Sequence, residues 1–310
     1  MNENRNASLL KNTSILGISS IATKLITFIL IPLYTYCLNK SEYGIVDMLF
    51  TIGSVLIPLF TLNIAESIYR FSMDKNADND KIVSISFTIL LSCILSSLII
   101  VPVVSMFPQY SDYKVYLYLY VVSAAFFQVL TMNLKGQSKL KLFGIGNILS
   151  VTFTAVLNIL FLVVLKMKIE GYFLAYIISN VLVTIYAIIV GKVFNNLKGY
   201  KIDKKLMGEM VKYSIVLVPT TFMWWIINSS DRIMISNFIG NDANGIYAVS
   251  YKIPAIITSI ATIFNQAWVF TAVDQKDVAD KNEYTNQIFK LVSNWYQNEI
   301  TEYCKMPINR

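Results

Sequence analysis

Histidine is missing from this chain of 310 residues, and cysteine nearly so: Cys37, Cys93 and Cys304 stand far apart, with no CxxC spacing. Most metal sites draw on histidine and clustered cysteine, and a disulfide framework needs paired cysteines, so both are disfavoured. Charge is scarce too, at 15% of residues, against about 25% in soluble domains. No GxxxxGK[ST] occurs, which argues against a nucleotide-driven pump. The segments between apolar runs on one side of the chain are about five to seven residues long, too short for the catalytic loops of a membrane glycosyltransferase or polymerase. Nor does the N-terminus carry a short apolar core with a small-residue cleavage site. Met1 to Asn12 is polar and leads into an apolar run of about 25 residues, which reads as an uncleaved first transmembrane helix.

Apolar residues fill the space that charge leaves. They make up 55% of the chain, mean hydropathy is +0.55, and long apolar runs recur from end to end. Runs of this length span a bilayer as helices, whereas β-barrel strands would alternate over about ten residues. The fold class is therefore an all-α polytopic membrane protein. About eight transmembrane helices are expected, over residues 14–38, 45–70, 82–107, 113–134, 142–165, 171–191, 211–239 and 245–273. The longest polar interval, 192–212, is lysine-rich and reads as a cytoplasmic linker. It separates a six-helix bundle (1–191) from the first two helices of a second bundle (213–273), and residues 274–310 form a charged cytoplasmic tail.

The net charge of +7 does not point to nucleic acid, because Lys and Arg lie in loops between the apolar runs. With the N-terminus inside, fourteen of them fall on the cytoplasmic side and four on the other, which favours that orientation.

Ionisable groups inside the runs carry the functional interest, since a charge in hydrocarbon normally faces a protein interior or a wet cavity. Lys24 lies about ten residues into the first span. Glu66 and Arg70 sit four apart at the end of the second, an arrangement that favours a membrane-edge ion pair. In the seventh span, Asn228, Asp231, Arg232 and Ser236 recur at helical spacing. The eighth places Tyr251 and Asn265 on one face, with Lys252 and Gln266 beside it. Asp47, Thr51 and Ser54 form a polar stripe in the second span, and Tyr113, Tyr116, Tyr118 and Tyr120 open the fourth as an aromatic belt.

The chain also repeats itself. Residues 11–45 laid over 212–246 both begin with a lysine before an apolar run and both close on Gly-Ile, at Gly44-Ile45 and Gly245-Ile246. With six spans between the copies they point the same way, and parallel repeats of this kind mark transporters that handle substrate between the halves.

Lys11-Asn12-Thr13-Ser14, Ser41-Glu42-Tyr43-Gly44 and Trp224-Trp225-Ile226-Ile227-Asn228-Ser229-Ser230-Asp231-Arg232 resemble the Wzx-type polysaccharide flippases of the multidrug/oligosaccharidyl-lipid/polysaccharide exporter superfamily. The resemblance covers about residues 8–290. It implies two helical bundles around a central cavity, no enzymatic activity and no cofactor, in a multi-pass protein of the bacterial inner membrane. Its substrate would be a polyprenyl-diphosphate-linked oligosaccharide turned from the cytoplasmic to the outer leaflet, with membrane lipids, a polysaccharide polymerase and chain-length machinery among its partners.

For an anionic, sugar-bearing headgroup the expected cations are Lys24, Arg232 and Lys252, with Arg70 nearer the cytoplasmic mouth. Asp231 would tune Arg232 or couple transport to a cation gradient, while Asn228, Tyr251, Asn265 and Gln266 would meet sugar hydroxyls. The chain stops after about eight spans, so a truncated product is expected. A drug or cation antiporter of the same superfamily, and a non-catalytic membrane subunit of a polysaccharide-assembly complex, stay open as alternatives.

Overall fold

A computed structural model of the chain describes residues 2–74, 77–193 and 202–252, all within one compact unit, residues 1–256. Every regular element among the described residues is helical. The helices are α1 (Asn2–Cys37), α2 (Lys40–Phe60), α3 (Ile64–Ser72), α4 (Asn79–Ser96), α5 (Ile100–Ser105), α6 (Lys114–Gly136), α7 (Leu140–Asn158), α8 (Lys168–Gly191), α9 (Lys204–Phe238) and α10 (241–252). Seven stretches are long and apolar enough to cross a membrane: those of α1, α2, α4 with α5, α6, α7, α8 and α9. Large apolar side chains cover the outside, Leu95 at 71%, Val216 at 69% and Ile189 at 67% exposure. Such a surface suits hydrocarbon and not water. Of the expected eighth span, only the part up to residue 252 falls within the described residues.

The helices end where the local chemistry says they should. Asn39 caps α2 through a reciprocal capping box: its side chain accepts from the Glu42 N–H at 2.8 Å, and the Glu42 carboxylate accepts from the Asn39 N–H at 2.9 Å. The same carboxylate takes an ion pair from Lys168 at 2.7 Å, tying the start of α2 to the start of α8. Asp203 caps α9 by accepting from the N–H groups of Lys205 and Leu206.

The second span is shorter than the sequence suggested. Its apolar pattern runs on to residue 70, but the helix breaks after Phe60, where Leu62 and Asn63 both take positive φ. Pro58 supplies no N–H, and its carbonyl accepts from Asn63 N at 2.7 Å, so the chain wraps back over the helix end. The turn is pinned by Asn63, whose amide donates to Thr221 on α9 at 3.2 Å. α3 then buries Ile64, Ala65 and Ile68 and leaves Glu66 and Arg70 outside.

The expected Glu66–Arg70 pair is replaced by Arg70–Asp74, at 2.7 Å with both side chains about half exposed. Glu66 sits in the first turn of α3 and Arg70 in its last, each at the helix end whose partial charge suits it. Asp74, just past the C-terminus, is the carboxylate nearer to that end.

The core lies among α2, α6 and α8, with α6 and α8 sharing the broadest interface. Phe50 is its centre, its ring 4.3 Å from Tyr120, 4.7 Å from Tyr176, 5.0 Å from Phe173 and 5.3 Å from Tyr172. Tyr120 is thus a packing residue and not part of an interfacial belt. It lies about two turns inside α6, beyond the reach of an interface a few ångströms deep. α1 joins this layer through Tyr34, whose hydroxyl accepts from the Asn158 amide at 3.1 Å.

The two copies of the repeat meet at the ends where α2 and α10 begin. A methyl group built on Gly44 would overlap the carbonyl oxygen of Asn241, and one built on Gly245 would overlap that of Lys40. Gly44 and Gly245 are 201 residues apart, as are Lys40 and Asn241, so the contact is one interaction made twice about a local two-fold. Backbones approach this closely only where both residues lack a side chain. The Asn244 amide closes the crossing by donating to the Gly44 carbonyl at 2.9 Å.

Candidate functional site

Beneath the glycine crossing, α2, α9 and α10 enclose the charged groups. The Arg232 guanidinium donates to Thr51 Oγ1 at 3.2 Å and lies 3.6 Å from Asp47 Oδ1. It also stands 5.1 Å from the Tyr251 ring centroid, within cation–π range. The Asp47 side chain is 9% exposed and that of Arg232 is 20% exposed. Lys252 lies close enough for its charge to act on Asp47, Arg232 and Lys24.

Neither member of the central pair is fully satisfied. Asp47 Oδ2 and Arg232 Nε are both buried without a hydrogen-bond partner among the described residues, and the Asn244 Oδ1 is a third such atom.

Helix geometry gives the depths. At about 1.5 Å per residue, Arg232 lies ~9 Å below the Phe238 end of α9 and Asp47 ~10 Å below the Lys40 end of α2. By the same measure Lys252 is ~17 Å and Lys24 ~20 Å down, toward the middle of a hydrocarbon layer about 30 Å thick. The three cations thus stand at successive depths, Lys24 exposed on α1 and Arg232 and Lys252 half-buried.

The sequence-derived residues divide accordingly. Arg232, Tyr251, Lys252 and Lys24 share one electrostatic neighbourhood. Asp231 borders it but does not pair with Arg232 through side chains. It accepts a short hydrogen bond from the Tyr247 hydroxyl and one from the Arg232 N–H at 2.9 Å. Successive side chains on a helix point about 100° apart, so neighbours cannot face each other.

Asn228 is exposed and donates to the Trp224 carbonyl one turn back. Ser236 is buried in a network with Tyr110 and Asn241. Arg70 stands apart, on α3 with Asp74. Asn265 and Gln266 lie outside the described residues.

Two participants had no role assigned from the sequence. Asp47 is the counter-ion of Arg232, and its only signal was the stripe Asp47, Thr51, Ser54. Trp225 fastens α9 to that same stripe, its indole N–H donating to the Thr51 carbonyl at 2.9 Å and to Ser54 Oγ at 3.1 Å. Its neighbour Trp224 is 63% exposed and faces outward.

At the far end of α9 a second hollow of about 630 Å³ is bordered by Phe71, Asp74, Lys81, Asp203, Lys205 and Glu209. There Lys81 pairs with Asp203 at 3.2 Å and with Asp78 at 3.6 Å. The Leu206 N–H, then Lys81, hold the Asp203 carboxyl below its ordinary range.

These features define an all-helical multi-pass membrane protein in which two half-buried cations, Arg232 and Lys252, lie where two related helix pairs meet. A family model of polysaccharide biosynthesis proteins matches residues 9–270. The chain belongs to that family. No curated protein and no solved structure matches it.

Proposed function

We propose that the protein is a transporter that turns a polyprenyl-diphosphate-linked oligosaccharide from the cytoplasmic to the outer leaflet, and that it is not an enzyme. The observation that carries this reading is the half-buried pair of cations Arg232 and Lys252, from α9 and α10, with Lys24 of α1 within electrostatic reach of Lys252. A diphosphate bears several negative charges, and moving it through hydrocarbon requires cationic donors at successive depths. Family membership supplies the polysaccharide context. The bias of fourteen basic residues to four supports a cytoplasmic N-terminus in a bacterial inner membrane, and on that reading the glycine crossing closes the outer end.

The test is genetic and chemical. Deleting the gene in the source cell is expected to remove surface glycan and to accumulate its polyprenyl-linked precursor, with both restored by the gene. Arg232→Ala and Lys252→Ala are expected to restore little, at normal protein levels. Unchanged glycan with altered sensitivity to cationic drugs would identify an antiporter instead.

A further inference from the structure

Asp47 has a feature that no structural ion pair requires: it neutralises a cation while one buried nitrogen of that cation, and one of its own oxygens, have no hydrogen-bond partner among the described residues. The separation of 3.6 Å from Arg232 is longer than the 2.7–2.9 Å of a charge-assisted hydrogen bond. Asp47 Oδ2 and Arg232 Nε are both buried and unpartnered among the described residues, and because the Nε–H points away from Nη1, a carboxylate that faces Nη1 cannot fill it. Buried polar atoms in this condition are costly, so the pair is poorly held. Its neighbourhood is also unbalanced. Lys252 lies within electrostatic reach of Arg232, whereas the other carboxylate, Asp231, is engaged by Tyr247.

We infer that Asp47 is a displaceable stand-in for the substrate's phosphoryl oxygens: it occupies Arg232 while the site is empty and yields Arg232 when a diphosphate enters. This rests on the proposed transport of a diphosphate-linked substrate.

A phosphoryl group offers what Asp47 does not, namely an oxygen for the unpartnered Nε of the guanidinium and further charge for Lys252. Displacement also has a mechanical result. Asp47 belongs to α2 and Arg232 to α9, so exchanging the carboxylate for a ligand removes an ionic tie between the helices that flank the Gly44–Gly245 crossing. A stand-in of this kind lowers ligand affinity, because binding must first displace it, and it promotes release by returning afterwards. Asp47 is thus a positioning residue and need not touch the substrate.

The test is a graded series in purified full-length protein in nanodiscs, read as the Kd for geranyl diphosphate and, separately, for inorganic pyrophosphate. Asp47→Asn removes the competing charge at constant shape and is expected to bind about tenfold more tightly than wild type, as for a site free to bind about a tenth of the time at rest. Asp47→Glu keeps the charge, carries the carboxylate closer to the guanidinium and is expected to bind several-fold more weakly. In cells, Asp47→Asn is expected to transport less despite binding more, a split that general loss of structure cannot produce. If the asparagine variant does not fold, the glutamate variant decides: binding equal to or tighter than wild type overturns the inference.

A flat or reversed order among folded variants, with wild type binding geranyl diphosphate, overturns the inference and leaves the flippase reading standing. Pyrophosphate following the same order at equal affinity supports the anion exchange and removes the lipid-linked substrate. Failure of all three proteins to bind either probe overturns both.

Discussion

The same helix pair occurs twice in this molecule, and its two copies have kept one feature while parting in all others. Lys40–Gly44 and Asn241–Gly245 cross glycine on carbonyl in both directions. One residue earlier they already differ. Asn39 starts α2 with a capping box, whereas Gly240 starts α10 at φ +120°, with open space around it. Further in, Tyr43 corresponds to Asn244, Asp47 to Ala248 and Thr51 to Lys252. The carboxylate is on one copy and the lysine on the other. Backbone contact sets where the copies meet, and their divergence sets what they do there, since a symmetric pair of aspartates would leave no net charge for an anion.

The largest break of this contrast comes from restoring the symmetry. Ala248 is 1% exposed, so Ala248→Asp forces a second carboxylate into a packed position, one turn from Lys252, whose charge it would neutralise. It is expected to lose several kcal/mol, read as poor yield and a collapsed melting temperature in detergent.

Next come Gly44→Ala and Gly245→Ala. Each places a methyl group into a backbone carbonyl, and the expected loss is about 3 kcal/mol, the upper part of the range for overpacking. The two should match within error if the crossing is one contact made twice. A large effect at one glycine alone would show that the copies are equivalent in sequence only.

Smaller losses are expected at the caps, for two different reasons. Asn39→Ala removes a capping box, at about 1 kcal/mol. Gly240→Ala forces a side chain onto a backbone that favours glycine, at about 1–2 kcal/mol. Thermal melting of both variants beside wild type checks the pair.

The smallest effect concerns Asp203, which caps α9. Its folded carboxyl titrates below its ordinary range because the Leu206 N–H and Lys81 favour the anion. Its stabilisation is therefore complete above the ordinary carboxylate pKa of about 3.9 and disappears as pH falls through the lower folded value. Asp203→Asn is expected to flatten the acid limb of a melting-temperature curve taken between pH 6 and 3, and to leave its slope above pH 6 unchanged.

Much of this was legible in the residues, and the rest failed for identifiable reasons. Apolar runs of twenty or more residues gave the helices, because a bilayer accepts little else. Depth alone picked out Arg232, Lys252 and Lys24, since a cation far from any loop has to be accommodated by protein. The copied Gly-Ile link located the crossing. The partner of Arg232 was not legible. Adjacency suggested Asp231, but it is Asp47, 185 positions away in sequence, that three-dimensional packing delivers. The end of α2 was misread because apolar periodicity continues through Leu62 and Ile64, and the signal of the break, Pro58, acts on the carbonyls behind it. Tyr120 looked interfacial because tyrosine suits both an interface and a tightly packed core, and only Phe50 decides between them.

At 35 residues, α9 is about 52 Å long, well beyond the 30 Å of hydrocarbon. Its capped foot, tied to α4 through Lys81, stands clear of the membrane on one side, while Arg232 rides near the other. Such a rod carries displacement from one face to the other without needing a chain of intervening side chains. Pro219 sits near its midpoint and leaves the Ile215 carbonyl without its helical donor. The rod therefore bends most easily at its centre, so that half an ångström of travel at the loop need not arrive at Arg232 as half an ångström, and residue 219 sets the gearing.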